Sequence, residues 1–247
     1  MRLPPKVSLL ALLWLLGAAL QAEPVTVHVL LLPNPPYTLV ADDDSATGFL
    51  PDLFGMLQVP GYRWSLEVMP WSRALGTTRN DRTGLVLLPT LTRTSERESQ
   101  FRWVAPIQEP RYFFIGRPTG GPPPTLESLK RRPVVVLLGN SSDDWLKHQG
   151  FTQVDEVSSL DQMVKMVLYG RVDYLLKDVT SLSFFLRSND LAPGALELGP
   201  EVKELELPLY IAGGPFLDPN LERGLRAVLD RMRRDGSLDR LWNRWQN

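Results

Sequence analysis

Chemistry in this chain falls to a few side chains. There are two histidines, His28 and His148, and no cysteine. A three-histidine zinc site, a thiolate metal site and a cysteine nucleophile are therefore excluded. His28 falls inside an apolar strand and reads as a core residue. His148 falls near a helix C-terminus, where partial positive charge is welcome. Neither has sequence neighbours that suggest catalysis, so what remains is polar recognition. Arg97 stands between Glu96 and Glu98. Its planar guanidinium can meet a carboxylate through two parallel hydrogen bonds, or it can be a solvated residue at a polar helix start. Thr90 and Thr92 follow an apolar run and are two apart, so their side chains share a face. Ser141 and Ser142 lie between a strand and a helix beginning near Asp143, where free N–H groups can meet an anion or be capped in the ordinary way. Asp178 follows another strand and either caps a helix over 179–187 or offers a carboxylate to a cation. Trp71 and Tyr37 offer ring area to a ligand or to the core, and Arg73 either reaches the same pocket or lies on a helix surface.

The elements that must position these residues alternate between strand and helix. Val25–Leu32, Leu85–Leu88, Val134–Leu138 and Val172–Leu176 are short apolar runs of the kind found in strands covered on both faces. Tyr62–Val68 alternates and reads as a strand, and 106–116 and 206–212 read as extended. Helices are expected over 48–57 and 72–79. From Ser158, Leu160, Met163, Val164, Val167 and Leu168 repeat at helical spacing, with Ser159 and Gln162 as a capping box and Gly170 as the stop. Asp218-Pro219 starts another helix with Leu221, Leu225, Val228, Leu229 and Met232 on one face. Ser237 caps a last one. Asp42 to Ser45 is a polar turn at a hairpin tip. The alternation implies an α/β fold with largely parallel sheets.

Composition sets the outer bounds. The chain has 247 residues, 43% hydrophobic and 22% charged, which is ordinary for a globular protein and suggests one large or two small domains. Its formal net charge of −1 argues against a nucleic-acid surface, which would show a basic excess. Met1 to Lys6 is short and basic, and Val7 to Leu20 is apolar apart from Ser8 and Gly17. That run is the length of a secretory signal core rather than a spanning helix. Residues 1–22 are therefore expected to be a signal peptide cleaved after about Ala22, leaving a soluble protein in the periplasm.

An ordered series of short motifs resembles the family 3 bacterial extracellular solute-binding proteins, which serve polar amino-acid uptake. The series comprises Pro35-Pro36-Tyr37, Gly48 to Leu53, Pro70-Trp71-Ser72-Arg73-Ala74-Leu75 and Thr92 to Glu98. It continues with Phe101 to Pro106, Gly139-Asn140-Ser141-Ser142, Gly170-Arg171-Val172-Asp173 and Asp235-Gly236-Ser237-Leu238. Each motif alone is weak. The resemblance implies a two-lobed periplasmic binding protein of type II, each lobe a mostly parallel sheet flanked by helices, joined by two crossover hinge strands. Lobe one is expected over 23–111 and 209–247, and lobe two over 112–208.

By the same resemblance Arg97 would clamp a ligand carboxylate, Asp178 would take an α-amino group, and Thr90, Thr92, Ser141 and Ser142 would hold polar atoms. Trp71 and Tyr37 would line the pocket, and Arg73 would favour an acidic ligand. Two departures stand out. Asn140 interrupts the usual glycine–hydroxyl pattern, and Lys177 would compete for Asp178 if it faced the cleft. The implied function is capture of an amino acid or similar small polar solute by a monomer that delivers it to an ABC-type permease. No catalytic residue, cofactor, metal or nucleic-acid partner is expected. Two other readings are a stand-alone sensory binding protein and a cyclohexadienyl dehydratase-like enzyme, which would need Asp178 or Glu109 as its acid.

Overall fold

The computed structural model describes residues 23–41, 43, 45–192 and 194–246. The expected signal peptide and its cleavage site lie outside the described residues. Twelve strands and eight α-helices alternate along the described chain. The strands are β1 (Val25–Leu31), β2 (Leu39–Val40), β3 (Ala46–Thr47), β4 (Tyr62–Val68), β5 (Val86–Thr92), β6 (Arg102–Gln108), β7 (Tyr112–Gly116), β8 (Val134–Leu137), β9 (Val154–Val157), β10 (Tyr174–Asp178), β11 (Glu197–Glu201) and β12 (Leu209–Gly213). The helices are α1 (Phe49–Met56), α2 (Trp71–Asn80), α3 (Leu126–Leu129), α4 (Ser141–His148), α5 (Leu160–Leu168), α6 (Val179–Ser188), α7 (Pro219–Arg234) and α8 (Ser237–Gln246).

Two five-stranded sheets organise two lobes. The first runs β4-β1-β5-β12-β6 and the second β11-β7-β10-β8-β9. Each contains two parallel and two antiparallel pairings, so the sheets are mixed rather than mostly parallel. The antiparallel pairings fall on the strands next to the passages between sheets, where the chain arrives from the other lobe and must run back. Those passages are 109–111 and 202–208. They are tied side by side: Arg111 Nε donates to Glu201 Oε1 at 2.7 Å, and Val202 N donates to the Tyr112 carbonyl at 2.8 Å.

Period-two alternation explains the apolar runs. In the second sheet Phe114, Val134, Val136 and Leu176 enter one core, while Ile115, Val135 and Leu175 enter the other, beneath α5. In the first sheet Val27, Val29 and Leu31 pack against α1, α7 and α8 on one face, and Leu30 and Leu88 pack with α2 on the other. Helix ends follow their sequence signals. Ser159 Oγ accepts from Gln162 N at 3.2 Å, and Asp218 Oδ1 accepts from Asn220 N at 2.7 Å. His28 corrects the expectation of a core residue: it shares the face of Leu30 but lies nearer the start of β1, where it is exposed and pairs with Glu67 of β4. No helix among the described residues is long and apolar enough to cross a membrane.

Candidate functional site

The carboxyl ends of β1, β4 and β5 in one lobe face those of β8, β9 and β10 in the other, across a cavity of about 450 Å³. Strand carboxyl ends are where α/β sheets place their ligands, because loops and helix N-termini converge there.

On the first lobe the loop after β1 carries Asn34 and Tyr37. Asn34 and Thr38 exchange backbone hydrogen bonds at 3.0 and 3.1 Å. The carbonyls of Pro36 and Tyr37 accept from Phe49 N and Leu50 N at 3.0 and 2.9 Å, satisfying the first N–H groups of α1. Gly48 makes this approach possible. Its φ is +121°, and a Cβ there would stand 2.8 Å from the Tyr37 carbonyl oxygen. Tyr37 is 1% exposed and packs against Trp242, with ring centroids 5.2 Å apart. Tyr37 lines the cavity, and its buried hydroxyl has no hydrogen-bond partner among the described residues. Burial, then the charge of Asp178, push its pKa well above the usual phenol value, so it stays a neutral donor.

Thr90 and Thr92 both line the cavity, at the end of β5. Thr90 has φ +66°, in the left-handed region that a β-branched residue rarely adopts. Arg97 sits on the turn after β5, where its N–H donates to the Thr94 carbonyl at 3.1 Å. The residue is 5% exposed, and its Cζ stands 5.7 Å from the centre of the Trp71 ring. Desolvation of the guanidinium lowers its pKa, opposed by the charge of Asp144.

On the second lobe, α4 and α6 start at the cleft. The start of α4 is already capped: Asn140 Oδ1 accepts from Asp143 N at 2.9 Å, and Asp143 Oδ2 accepts from Gly139 N at 2.8 Å. Ser141 and Tyr112 both line the cavity. At the start of α6, Asp178 Oδ1 accepts from Ser181 N at 2.8 Å. Its Oδ2 stands 2.9 Å from Lys177 Nζ, and both side chains are nearly fully buried.

Among the described residues, Arg187 Nη2 donates to the Gln246 carbonyl at 3.0 Å between the lobes, and four more polar contacts join them at the cavity. The Gly139 carbonyl accepts from Trp71 Nε1 at 2.7 Å and from Arg97 Nη2 at 3.3 Å. Arg97 Nη2 also donates to Asp144 Oδ2 at 3.1 Å, and Lys177 Nζ donates to Asn34 Oδ1 at 3.0 Å.

Of the residues expected at the site, Tyr37, Trp71, Thr90, Thr92, Arg97, Ser141 and Asp178 all line the one cavity. Ser142 and Arg73 do not. Consecutive helical residues are turned by about 100°, so Ser142 points from α4 into the protein, fully buried with its hydroxyl unpartnered among the described residues. Arg73 lies two residues beyond Trp71 on α2, about 200° round the axis, and is exposed. Glu109 is also exposed and away from the cavity lining. Sequence reasoning did not place Asn34, Tyr112 and Gly139 at the site. Lys177 was visible only as a possible competitor, and here it does face the cleft.

No protein-family model matches the chain, and no curated protein matches it. Solved structures do. The chain is similar to a histidine kinase sensor domain with similarity to periplasmic binding proteins, with TM-score 0.78 and 17% identity, over 91% of this chain and 96% of that one. It is similar to an ancestral arginine-binding protein bound to arginine, with TM-score 0.75 and 19% identity, over 89% and 97% of the two chains. A third is an ancestral amino-acid-binding protein described as a precursor of cyclohexadienyl dehydratase, with TM-score 0.75 and 18% identity, over 90% and 95%. These likenesses define the architecture: the chain has the fold of the two-lobed periplasmic binding proteins.

Proposed function

We propose that the chain is a periplasmic solute-binding protein that captures a small carboxylate-bearing organic solute, in the size class of an amino acid, between its lobes. The observation that carries this reading is Arg97: a buried guanidinium on the wall of a cavity of about 450 Å³. Its Nε and Nη1 have no partner among the described residues, so a ligand carboxylate can bond the guanidinium there, and the two-bond fork completes when Nη2 exchanges Asp144 for the ligand. The volume lies within the usual range for small-ligand pockets. On this reading lobe one is 23–111 with 209–247, lobe two is 112–208, and the passages at 109–111 and 202–208 are the hinge. Residues 1–22 direct export, and an ABC-type permease receives the solute.

The experiment is a thermal melt of the protein against amino acids, small carboxylates and oligopeptides. A ligand that binds only the folded state raises the melting temperature by mass action. If no compound shifts the melt, the solute-binding reading fails.

A sensory role is the second reading, supported by the likeness to a kinase sensor domain. Recovery of a sensor kinase rather than a permease in a pull-down would favour it. A dehydratase is disfavoured by the site itself. The acid it needs would be Asp178, whose two oxygens are held by Ser181 N and by Lys177 Nζ.

A further inference from the structure

The pair formed by Lys177 and Asp178 bears on what the cleft can accept. A free amino acid brings an ammonium group that needs a carboxylate to replace its hydration. Among the cavity-lining residues Asp178 is the one carboxylate. Its Oδ1 is taken by the start of α6 and its Oδ2 by Lys177, whose Nζ is fixed from the other lobe by Asn34. An incoming ammonium at this position would meet a buried like charge on a carboxylate already engaged through both oxygens, and that is costly in a desolvated site. The charged groups that line the cavity are Arg97, Lys177 and Asp178, an excess of one positive charge. Asp144 reaches Arg97 only from the rim: its side chain is half exposed, and it takes Nη2 alone.

The remaining wall is mostly hydrocarbon, interrupted by uncharged polar side chains such as Thr90, Thr92, Asn140 and Ser141. Leu32, Val40, Met69, Leu137, Leu138 and Leu209 contribute hydrocarbon surface. Tyr37, 1% exposed, adds an uncharged ring to that lining. That combination suits one anionic head on an uncharged body and leaves no counter-ion for a zwitterion.

We infer that the cleft selects small organic monocarboxylates with an uncharged, largely apolar body and rejects the α-ammonium group of free amino acids, because Lys177 occupies that group's place on Asp178. This rests on the solute-binding reading above.

The test uses matched probes that differ only in the amino group: 3-phenylpropanoate with L-phenylalanine, 4-methylpentanoate with L-leucine, and 3-(4-hydroxyphenyl)propanoate with L-tyrosine. Binding to the full-length mature protein is measured by calorimetry, with the twenty amino acids screened alongside by thermal melt. The expected result is that at least one desamino acid binds, at least tenfold more tightly than its amino acid. Lys177→Met frees Asp178, and the preference within that pair is expected to shift at least tenfold toward the amino acid. Should this variant fail to fold, with Asp178 left buried and unpaired, the wild-type comparison decides alone. An amino acid that binds the wild type as tightly as its desamino partner overturns the inference and leaves the solute-binding reading standing. Absence of binding by every probe and every amino acid overturns both.

Discussion

The two cations that line the cavity cross it in opposite directions. Arg97 reaches from lobe one to Asp144 and the Gly139 carbonyl, and Lys177 reaches from lobe two to Asn34. Their settings differ. Arg97 rides on a turn and its carboxylate partner is half exposed. Burial there pushes the Asp144 pKa up despite the neighbouring guanidinium. Lys177 sits on a central strand with a nearly fully buried carboxylate beside it. A weakly held, forked cation can exchange a protein partner for a ligand, whereas a locked buried pair cannot be opened without leaving a charge unpaired. Arg97 is thus the adaptable member and Lys177 the fixed one.

The largest expected effect comes from breaking the fixed pair. Asp178→Ala removes both the α6 cap and the counter-charge of Lys177. It should cost about 3–5 kcal/mol, the usual penalty for leaving a buried ion unpaired. For a chain of this size that lowers the melting temperature by roughly ten degrees, measured by calorimetry. Combining Lys177→Met with Asp178→Asn should recover much of the loss, since no buried charge is then left. A loss below about 1 kcal/mol in the single variant would mean that the two cations are equivalent.

Next is the adaptable cation. Arg97→Ala should lose about 1.5–3 kcal/mol of affinity for any carboxylate ligand, the range for hydrogen bonds to charged groups, with a far smaller effect on the melt of the unliganded protein. Isothermal calorimetry separates the two quantities, and unchanged affinity would remove Arg97 from the site. Trp71→Phe keeps the ring and deletes one neutral donor to Gly139. At about 0.5–1.5 kcal/mol, the open population should rise by roughly 2- to 13-fold, seen as a larger radius of gyration in X-ray scattering. Arg73→Ala should leave affinity within twofold of the wild type, because this arginine is turned away from the cavity. A larger loss would require α2 to rotate on closure.

Most of the architecture was legible where local signals were strong. Helix α5 was readable from Ser159 through Gly170, and α7 from Asp218 and its apolar face. The strands that escaped notice were weakly marked. β9, Val-Asp-Glu-Val, is an edge strand with two exposed acids, and β11 carries Gly199 and Pro200 at a register shift. β5 was read as the apolar run Leu85–Leu88, which stops short of Pro89. It continues because its pairing with β12 shifts register there, between Leu88 and Leu91, at a place where a missing N–H is tolerated.

In the site, seven of the nine expected residues meet, since motif order keeps loops at strand ends together. Ser142 and Arg73 were misplaced by helix rotation, which adjacency in sequence does not reveal. Lys177 was harder still. Strand alternation sends neighbours to opposite faces, but at a strand's carboxyl end both faces border the cleft, and a four-carbon stem reaches the rest of the way.

The Trp71 bond to Gly139 has an optical consequence. Trp64, Trp103, Trp145, Trp242 and Trp245 each contact groups of their own lobe, whereas the Trp71 indole spans the two. Opening the lobes would break that bond and free the indole N–H. Intrinsic fluorescence of the unlabelled protein is therefore a direct meter of lobe separation, and Trp71→Phe supplies its blank.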